Sequence, residues 1–78
     1  MSEYMVGYLK DVLQYELLIR GYRKVNIKKK KNNLEVNVDG LKAFVYNLEL
    51  INPFSDDVEQ IVMDVIRQLT LNGINLED

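Results

Sequence analysis

The spacing of apolar residues changes twice along the chain, and these two changes constrain the fold more than any other feature of the sequence. Apolar residues recur at the 3.6-residue period of a helix in residues 3–20 and again in residues 58–69, whereas residues 24–51 alternate with the period of two that is typical of strands. A length of 78 residues suits one domain. The sequence therefore predicts a single α+β domain, residues 1–78, in the order α-β-β-β-α, with a three-stranded antiparallel meander and two helices packed on one face.

The first predicted helix spans about residues 3–20. Gly21 stands where a left-handed residue commonly ends a helix, and Tyr22 after it can fold back on Leu17. Gly7 weakens the first turn, because glycine costs up to about 1 kcal/mol inside a helix. One broad apolar face is expected to pack in the core, and it consists of Tyr4, Met5, Tyr8, Leu9, Val12, Tyr15, Ile19 and Tyr22.

The second predicted helix has an unbroken apolar stripe. Ser55 or Asp56 can cap its beginning, and Asp56 would form a capping box with Glu59. Gly73 is expected to end it in a left-handed conformation, with Ile74 packed on Leu69. The stripe that should face the core consists of Val58, Ile61, Val62, Val65, Ile66 and Leu69.

Three segments between the helices alternate like strands: KVNIK, LEVNV and KAFVYNLELI. Asn32 and Asn33 can form the first turn, because both tolerate positive φ. The second turn, at residues 39–40, leaves two registers open. A two-residue turn places Leu34 on the same face as Val45, whereas a three-residue loop that ends at Gly40 places it beside Phe44 and Tyr46. The second register is preferred here because it collects the large side chains in the core.

Charge is distributed in blocks although the net charge is only −2. Residues 1–19 carry −2, residues 20–31 carry +7 and the remainder carries −7. In the first strand, Lys28 and Lys30 should share the open face of the sheet with Lys24, while Lys29 and Lys31 extend past the core at the hairpin tip. The candidate phosphate-binding residues of this basic block are Arg20, Arg23, Lys24, Lys28, Lys29, Lys30 and Lys31.

The basic block has an equally simple structural explanation. Lysines at a hairpin tip keep an edge strand from pairing with other chains and raise solubility. Aromatic side chains beside the lysines would favour nucleic-acid binding, because bases stack on them. None is expected on the open face of the first two strands, and Phe44 and Tyr46 are predicted to be buried.

The element order is also that of double-stranded-RNA-binding domains. In that family the second helix opens with a lysine-rich stretch that contacts phosphates across the major groove. The same position here reads SDDVEQ, residues 55–60, and its three acidic side chains would repel an RNA backbone. The sequence therefore does not indicate membership of this family.

Several catalytic chemistries are excluded by composition. The chain has no histidine and no cysteine, so it can form neither a His-based triad nor a thiolate or thiolate–metal site. The adjacent acids Asp56 and Asp57 are explained by their position at a helix N-terminus. The sequence thus predicts a protein that is not an enzyme and that uses no metal or other cofactor.

The first helix has more apolar residues than one face can bury. Val6, Leu13 and Leu17 form a second stripe, and exposed apolar stripes commonly mark an interface. A two-fold homodimer through this stripe is its simplest use, and the alternative is a first helix buried on two sides. The predicted protein interface combines these apolar residues with the acids of the second helix, and it comprises Val6, Leu13, Leu17, Asp56, Asp57, Glu59 and Asp64.

These observations predict a small non-catalytic protein-binding module that regulates or inhibits a macromolecular partner. The alternative is a nucleic-acid-binding protein that uses residues 20–31. No apolar run approaches the roughly 18 residues of a membrane span, so no membrane partner is expected. The absence of cysteine favours a cytoplasmic location.

Overall fold

The computed structural model describes residues 2–52, 54–55 and 57–77, with side chains described up to residue 73. The strands form one antiparallel sheet in the order β1-β2-β3. The first helix packs over β1 and the second over β3, which confirms the predicted α-β-β-β-α fold. The elements are α1 (Glu3–Ile19), β1 (Val25–Lys30), β2 (Asn33–Val38), β3 (Leu41–Val45), a 3₁₀ turn (Leu48–Leu50) and α2 (Asp57–Glu77).

The predicted end of α1 is confirmed. Gly21 has a φ of 91°, and its N–H donates to the carbonyl of Leu18 at 3.0 Å. The N–H of Tyr22 donates to the carbonyl of Leu17 at 3.1 Å. These two hydrogen bonds form a Schellman motif, which satisfies the last carbonyls of the helix and turns the chain toward β1.

The predicted core face of α1 is wrong in its orientation. Val6, Leu13 and Leu17, predicted to be a surplus exposed stripe, lie with Leu9 in the core. Aliphatic side chains can be buried without a hydrogen-bond partner, whereas a tyrosine hydroxyl needs one. The helix is therefore rotated so that its tyrosines meet water, and the predicted core residues that are exposed are Tyr4, Tyr8, Tyr15 and Ile19.

The preferred register of the second hairpin is also wrong, and the two-residue turn is the correct one. Leu34 pairs with Val45, and Val38 pairs with Leu41. Asp39 and Gly40 between them have φ values of 52° and 86°, the conformation whose twist matches that of antiparallel strands. The covered face of the sheet therefore consists of small and aliphatic side chains, and its buried members are Ile27, Leu34, Val36, Val38, Ala43 and Val45.

The third strand is shorter than the alternation in residues 42–51 predicts. It ends at Val45, and Asn47 adopts a left-handed conformation with a φ of 58°. The chain then enters the 3₁₀ turn, which buries Leu48 beneath the sheet. The N–H of Leu48 donates to the carbonyl of Asn32 at 2.9 Å, so this segment is tied to the first hairpin.

The first turn lies one residue earlier than predicted. Lys30 pairs with Asn33, so the turn consists of Lys31 and Asn32, and Lys31 has a φ of 56°. Asn33 belongs to β2, where its side-chain oxygen accepts a hydrogen bond from the N–H of Asn47 at 3.2 Å. This contact with the segment after β3 requires Asn33 in the strand rather than in the turn.

The predicted core stripe of α2 is confirmed, because its residues are buried or half-buried against the sheet and α1. The predicted end at Gly73 is wrong, since the helix continues to Glu77. The hydroxyl of Ser55 accepts from the N–H of Asp57 at 3.2 Å at the start of the helix. The proposed Asp56 cap lies outside the described residues, and the proposed contact of Ile74 lies outside the described side chains.

Candidate nucleic-acid interface

The face of the sheet that points away from both helices carries no aliphatic side chain. Strand alternation assigns three residues each to β1 and β2 and two to β3, and Tyr46 continues the row of β3 beyond its end. The strands β1 and β3, which carry the lysines and the aromatic row, lie roughly 10 Å apart, two strand spacings. This surface, called the open face below, consists of Asn26, Lys28, Lys30, Asn33, Glu35, Asn37, Lys42, Phe44 and Tyr46.

Glu35 lies at the centre of the open face and is only 7% exposed. Its carboxylate contacts the ammonium groups of Lys30 at 3.1 Å and Lys42 at 3.6 Å, and the amide of Asn37 donates to it at 3.3 Å. The hydrogen bond from Lys30, with smaller contributions from Asn37 and from the charge of Lys42, lowers the pKa of the Glu35 carboxyl despite its burial. A single carboxylate thus holds lysines from the two outer strands over the middle of the sheet.

An aromatic pair lies beside this charge cluster. The rings of Phe44 and Tyr46 stack with centroids 5.8 Å apart and an angle of 18° between their planes. Tyr46 is 60% exposed and Phe44 is half-buried. Phe44 is also the cross-strand neighbour of Glu35, so the stacked pair and the ion pairs form one continuous surface.

Polar side chains of α2 hold the outer edge of β3. Gln68 accepts a hydrogen bond from the N–H of Phe44 at 2.8 Å and donates one to its carbonyl at 2.9 Å. Asn72 donates to the carbonyl of Lys42. These bonds take the place of a fourth strand and keep the edge from pairing with another chain, so the backbone beneath the aromatic pair is fixed.

The basic residues predicted to bind nucleic acid do not form one cluster. Lys28 and Lys30 lie on the open face as predicted, whereas Lys29 lies opposite Leu34 on the other side of the strand and Lys31 lies in the turn. Arg20 forms an ion pair with Glu16 on α1. The remaining two, Arg23 and Lys24, are exposed in the loop before β1.

The predicted protein interface is not assembled either. Its apolar members Val6, Leu13 and Leu17 are buried, as described above. Glu59 borders a groove of about 220 Å³ between the two helices, whereas Asp64 faces the β3 side, where Gln68 donates to it at 2.9 Å. Five helical residues separate these acids, which corresponds to about 140° around the axis. Glu59 and Asp64 therefore do not share a face of α2.

Apolar surface is exposed on α1, but on the side opposite the predicted one. The outer face of α1 carries three tyrosines, of which Tyr4 is 77% and Tyr15 is 63% exposed. The ring of Tyr8 also contacts that of Phe54, with centroids 5.0 Å apart. This surface, called the tyrosine face below, consists of Tyr4, Tyr8, Tyr15, Leu18 and Ile19.

Of the open-face residues, sequence reasoning named only Lys28 and Lys30 as site residues. The most important ones that it missed are Lys42, Phe44 and Tyr46. The preferred register placed both aromatic side chains in the core, and Lys42 is isolated from the basic block along the chain. The signal that could have found them is the Asp39-Gly40 pair, because a two-residue turn at that point turns Phe44 and Tyr46 outward.

Comparisons with protein-family models, with curated proteins and with solved structures found no match. Within the part of the chain that the structure describes, no helix is both long and apolar enough to span a membrane. The same residues contain no group of three or more acidic side chains placed to hold a metal ion.

Proposed function

We propose that this protein binds single-stranded nucleic acid on the open face of its sheet. The observation that carries the proposal is the stacked pair Phe44 and Tyr46 beside a lysine cluster on the open face. On its other side the pair borders a groove with Ile61 and Asp64 of α2. Proteins that bind single strands combine these two elements, since cations follow the phosphates while bases stack on aromatic rings. The sequence-based ranking is thereby reversed.

The layout of the open face suits a strand that runs along the sheet. Lys28 and Lys30 on one side offer charges to phosphates, and the aromatic pair on the other side offers ring faces to bases. Asn33 and Asn37 between them carry amides, which can both donate and accept hydrogen bonds at base edges. A single strand is favoured over a duplex, because bases that are paired and stacked cannot reach the rings.

The test is a fluorescence-anisotropy titration of labelled single-stranded DNA and RNA, with duplexes of the same sequence, at about 50 and about 200 mM salt. If Lys28, Lys30 and Lys42 each contact a phosphate, log affinity for a single strand should fall with log salt at a slope of about −2.1. We expect micromolar binding to single strands and weaker binding to duplexes. The two single-stranded arms show whether the protein prefers RNA or DNA.

A matched pair of variants makes the test specific to the open face. Lys28→Ser with Lys30→Ser should weaken binding at least about tenfold and reduce the slope to about −0.7. Lys29→Ser with Lys31→Ser removes the same charge from the same hairpin but leaves the open face intact, so it should change affinity no more than about threefold. An equal loss of affinity in both variants would mean that the lysines attract nucleic acid only through their total charge. The absence of binding at low salt would contradict the proposal, and the lysines would then serve only to keep the hairpin solvated.

The second candidate is the non-catalytic protein-binding module, a regulator or inhibitor, and the tyrosine face supports it. Tyrosine suits surfaces that are partly apolar and partly hydrated, as protein interfaces are. This candidate predicts that Tyr15→Ala abolishes binding to the protein partner without changing the affinity for nucleic acid. The titration of the wild type therefore separates the two candidates, because only the first requires binding to nucleic acid that depends on the open face.

A further inference from the structure

We propose that the tyrosine face of α1 binds a second copy of this chain in a two-fold antiparallel pair. This inference stands independently of nucleic-acid binding, because it concerns the opposite side of the molecule. Three features of α1 support it: the exposed area, the order of charges along the helix and the symmetry of the tyrosine positions.

The exposed area is large for a domain of this size. Taking each tyrosine side chain as about 200 Å², the exposed fractions of Tyr4, Tyr8 and Tyr15 amount to about 360 Å² per protomer. Leu18 and Ile19 extend the same surface, and each is at least half exposed. Two copies together approach the roughly 1,200 Å² at the lower end of specific interfaces, which corresponds to a weak, concentration-dependent dimer.

The residue positions make this surface complementary to itself. The face runs from Tyr4 to Ile19, about 22 Å of helix, and its midpoint also lies midway between Tyr8 and Tyr15. A two-fold axis through that midpoint places Tyr8 of each copy opposite Tyr15 of the other, and Tyr4 opposite Ile19. Aromatic rings therefore meet aromatic rings and the whole face is covered, as an isologous interface requires.

The charges select the antiparallel direction. Glu3 lies at the start of α1, whereas residues 20–24 after its end carry Arg20, Arg23 and Lys24. Antiparallel pairing brings the acidic start of each helix next to the basic segment of the other copy, while parallel pairing would bring like charges together. Asp11 lies near the axis and meets its own counterpart there, which keeps the dimer weak.

The arrangement leaves both open faces free. In each copy α1 packs on the covered side of the sheet and directs its tyrosines away from it. Pairing through the tyrosine face therefore directs the two open faces outward on opposite sides of the dimer. The dimer forms without any ligand, and its test needs none.

The experiment is sedimentation-velocity ultracentrifugation of the full chain from about 1 μM to about 1 mM, with thermal melting of each variant to confirm folding. We expect the wild type to shift from monomer to dimer within this range. Tyr15→Glu should raise the dimer Kd more than about tenfold, because it places a charge among aromatic rings. Asp11→Asn should lower the Kd about two- to fivefold by removing the repulsion at the axis.

Tyr46→Glu is the matched control, since Tyr46 and Tyr15 are 60% and 63% exposed and lie on opposite surfaces. It should leave the dimer Kd unchanged. A wild type that stays monomeric throughout the range would overturn the proposal. So would equal weakening by Tyr46→Glu and Tyr15→Glu, or a dimer that Tyr15→Glu leaves intact. None of these results depends on whether the open face binds nucleic acid.

Discussion

Tyr46 on the open face and Tyr15 on the tyrosine face are exposed to nearly the same extent, and the comparison between them shows that the same exposed side chain can belong to two kinds of surface. Tyr46 stacks on a second ring and shares the open face with lysines, asparagines and one carboxylate held by two ammonium groups. It also borders a groove with Ile61 and Asp64 of α2. Around Tyr15 on the tyrosine face lie Leu18 and Ile19. The same side chain therefore belongs to a surface suited to a polyanion in one place and to an apolar surface in the other.

The largest expected effect tests the orientation of α1. Leu13 is fully buried whereas Tyr15, two residues away, is exposed. Leu13→Ala should destabilise the protein by about 2–5 kcal/mol, because it leaves a cavity in the core. Tyr15→Ala should cost less than about 0.5 kcal/mol in a dilute, monomeric sample. Urea denaturation of both variants measures the difference, and similar losses of stability would contradict the described rotation of the helix.

An intermediate effect is expected when the aromatic pair is removed. Base stacking on an aromatic side chain contributes about 1–3 kcal/mol per base, so Phe44→Ala with Tyr46→Ala should weaken single-strand binding about 10- to 100-fold. The slope of log affinity against log salt should stay unchanged, because no phosphate contact is lost. Tyr15→Ala serves as the control in the same anisotropy titration. A changed slope with unchanged low-salt affinity would indicate that the rings only position the lysines.

The smallest expected effect concerns the carboxylate at the centre of the open face. Glu35→Gln frees Lys30 and Lys42 from their ion pairs, and it should raise nucleic-acid affinity about threefold at low salt. The slope of log affinity against log salt should stay unchanged, because the same three lysines contact phosphates in both proteins. Lower affinity in this variant would mean that Glu35 positions the lysines for binding rather than competing with the phosphates.

The same variant tests the effect of the ion pairs on stability. The pKa of Glu35 is lowered by Lys30, so the contribution of its charged form is present above the pKa of the unfolded chain. It is lost as the pH falls through the lower pKa of the folded protein. Wild type should therefore melt at a higher temperature than Glu35→Gln at neutral pH, and the gap should close in strong acid. A difference in melting temperature that persists in strong acid would mean that packing, rather than the ion pairs, causes it.

Much of the fold could be predicted because local chemistry determines it. The Schellman end at Gly21 depends on a residue that adopts positive φ without strain, and the stripe from Val58 to Leu69 depends on helical periodicity alone. The end of α2 could not be predicted from Gly73. Asn72 holds the last turns of the helix against β3 through the carbonyl of Lys42, and this contact is invisible in a local pattern.

Recognition of the candidate site from the sequence depended on the register of β2 and β3, in which an error of one residue is decisive. With the two-residue turn at Asp39 and Gly40, Ala43 and Val45 enter the core while Phe44 and Tyr46 face outward. A slip of one residue exchanges every side chain between the two faces of a strand. The lysines of β1 were recognised from the sequence, but their aromatic neighbours could be found only after this register was known.

The sequence by itself determined the order of the elements, the end of α1 at the left-handed Gly21 and the core stripe of α2, because each arises from interactions within a few residues. Tertiary structure alone decided which apolar stripe of α1 is buried and which face of β3 is covered. In both cases two alternatives had similar hydrophobicity. The choice between them depends on which side chains fill the space between helices and sheet while leaving the tyrosine hydroxyls in water.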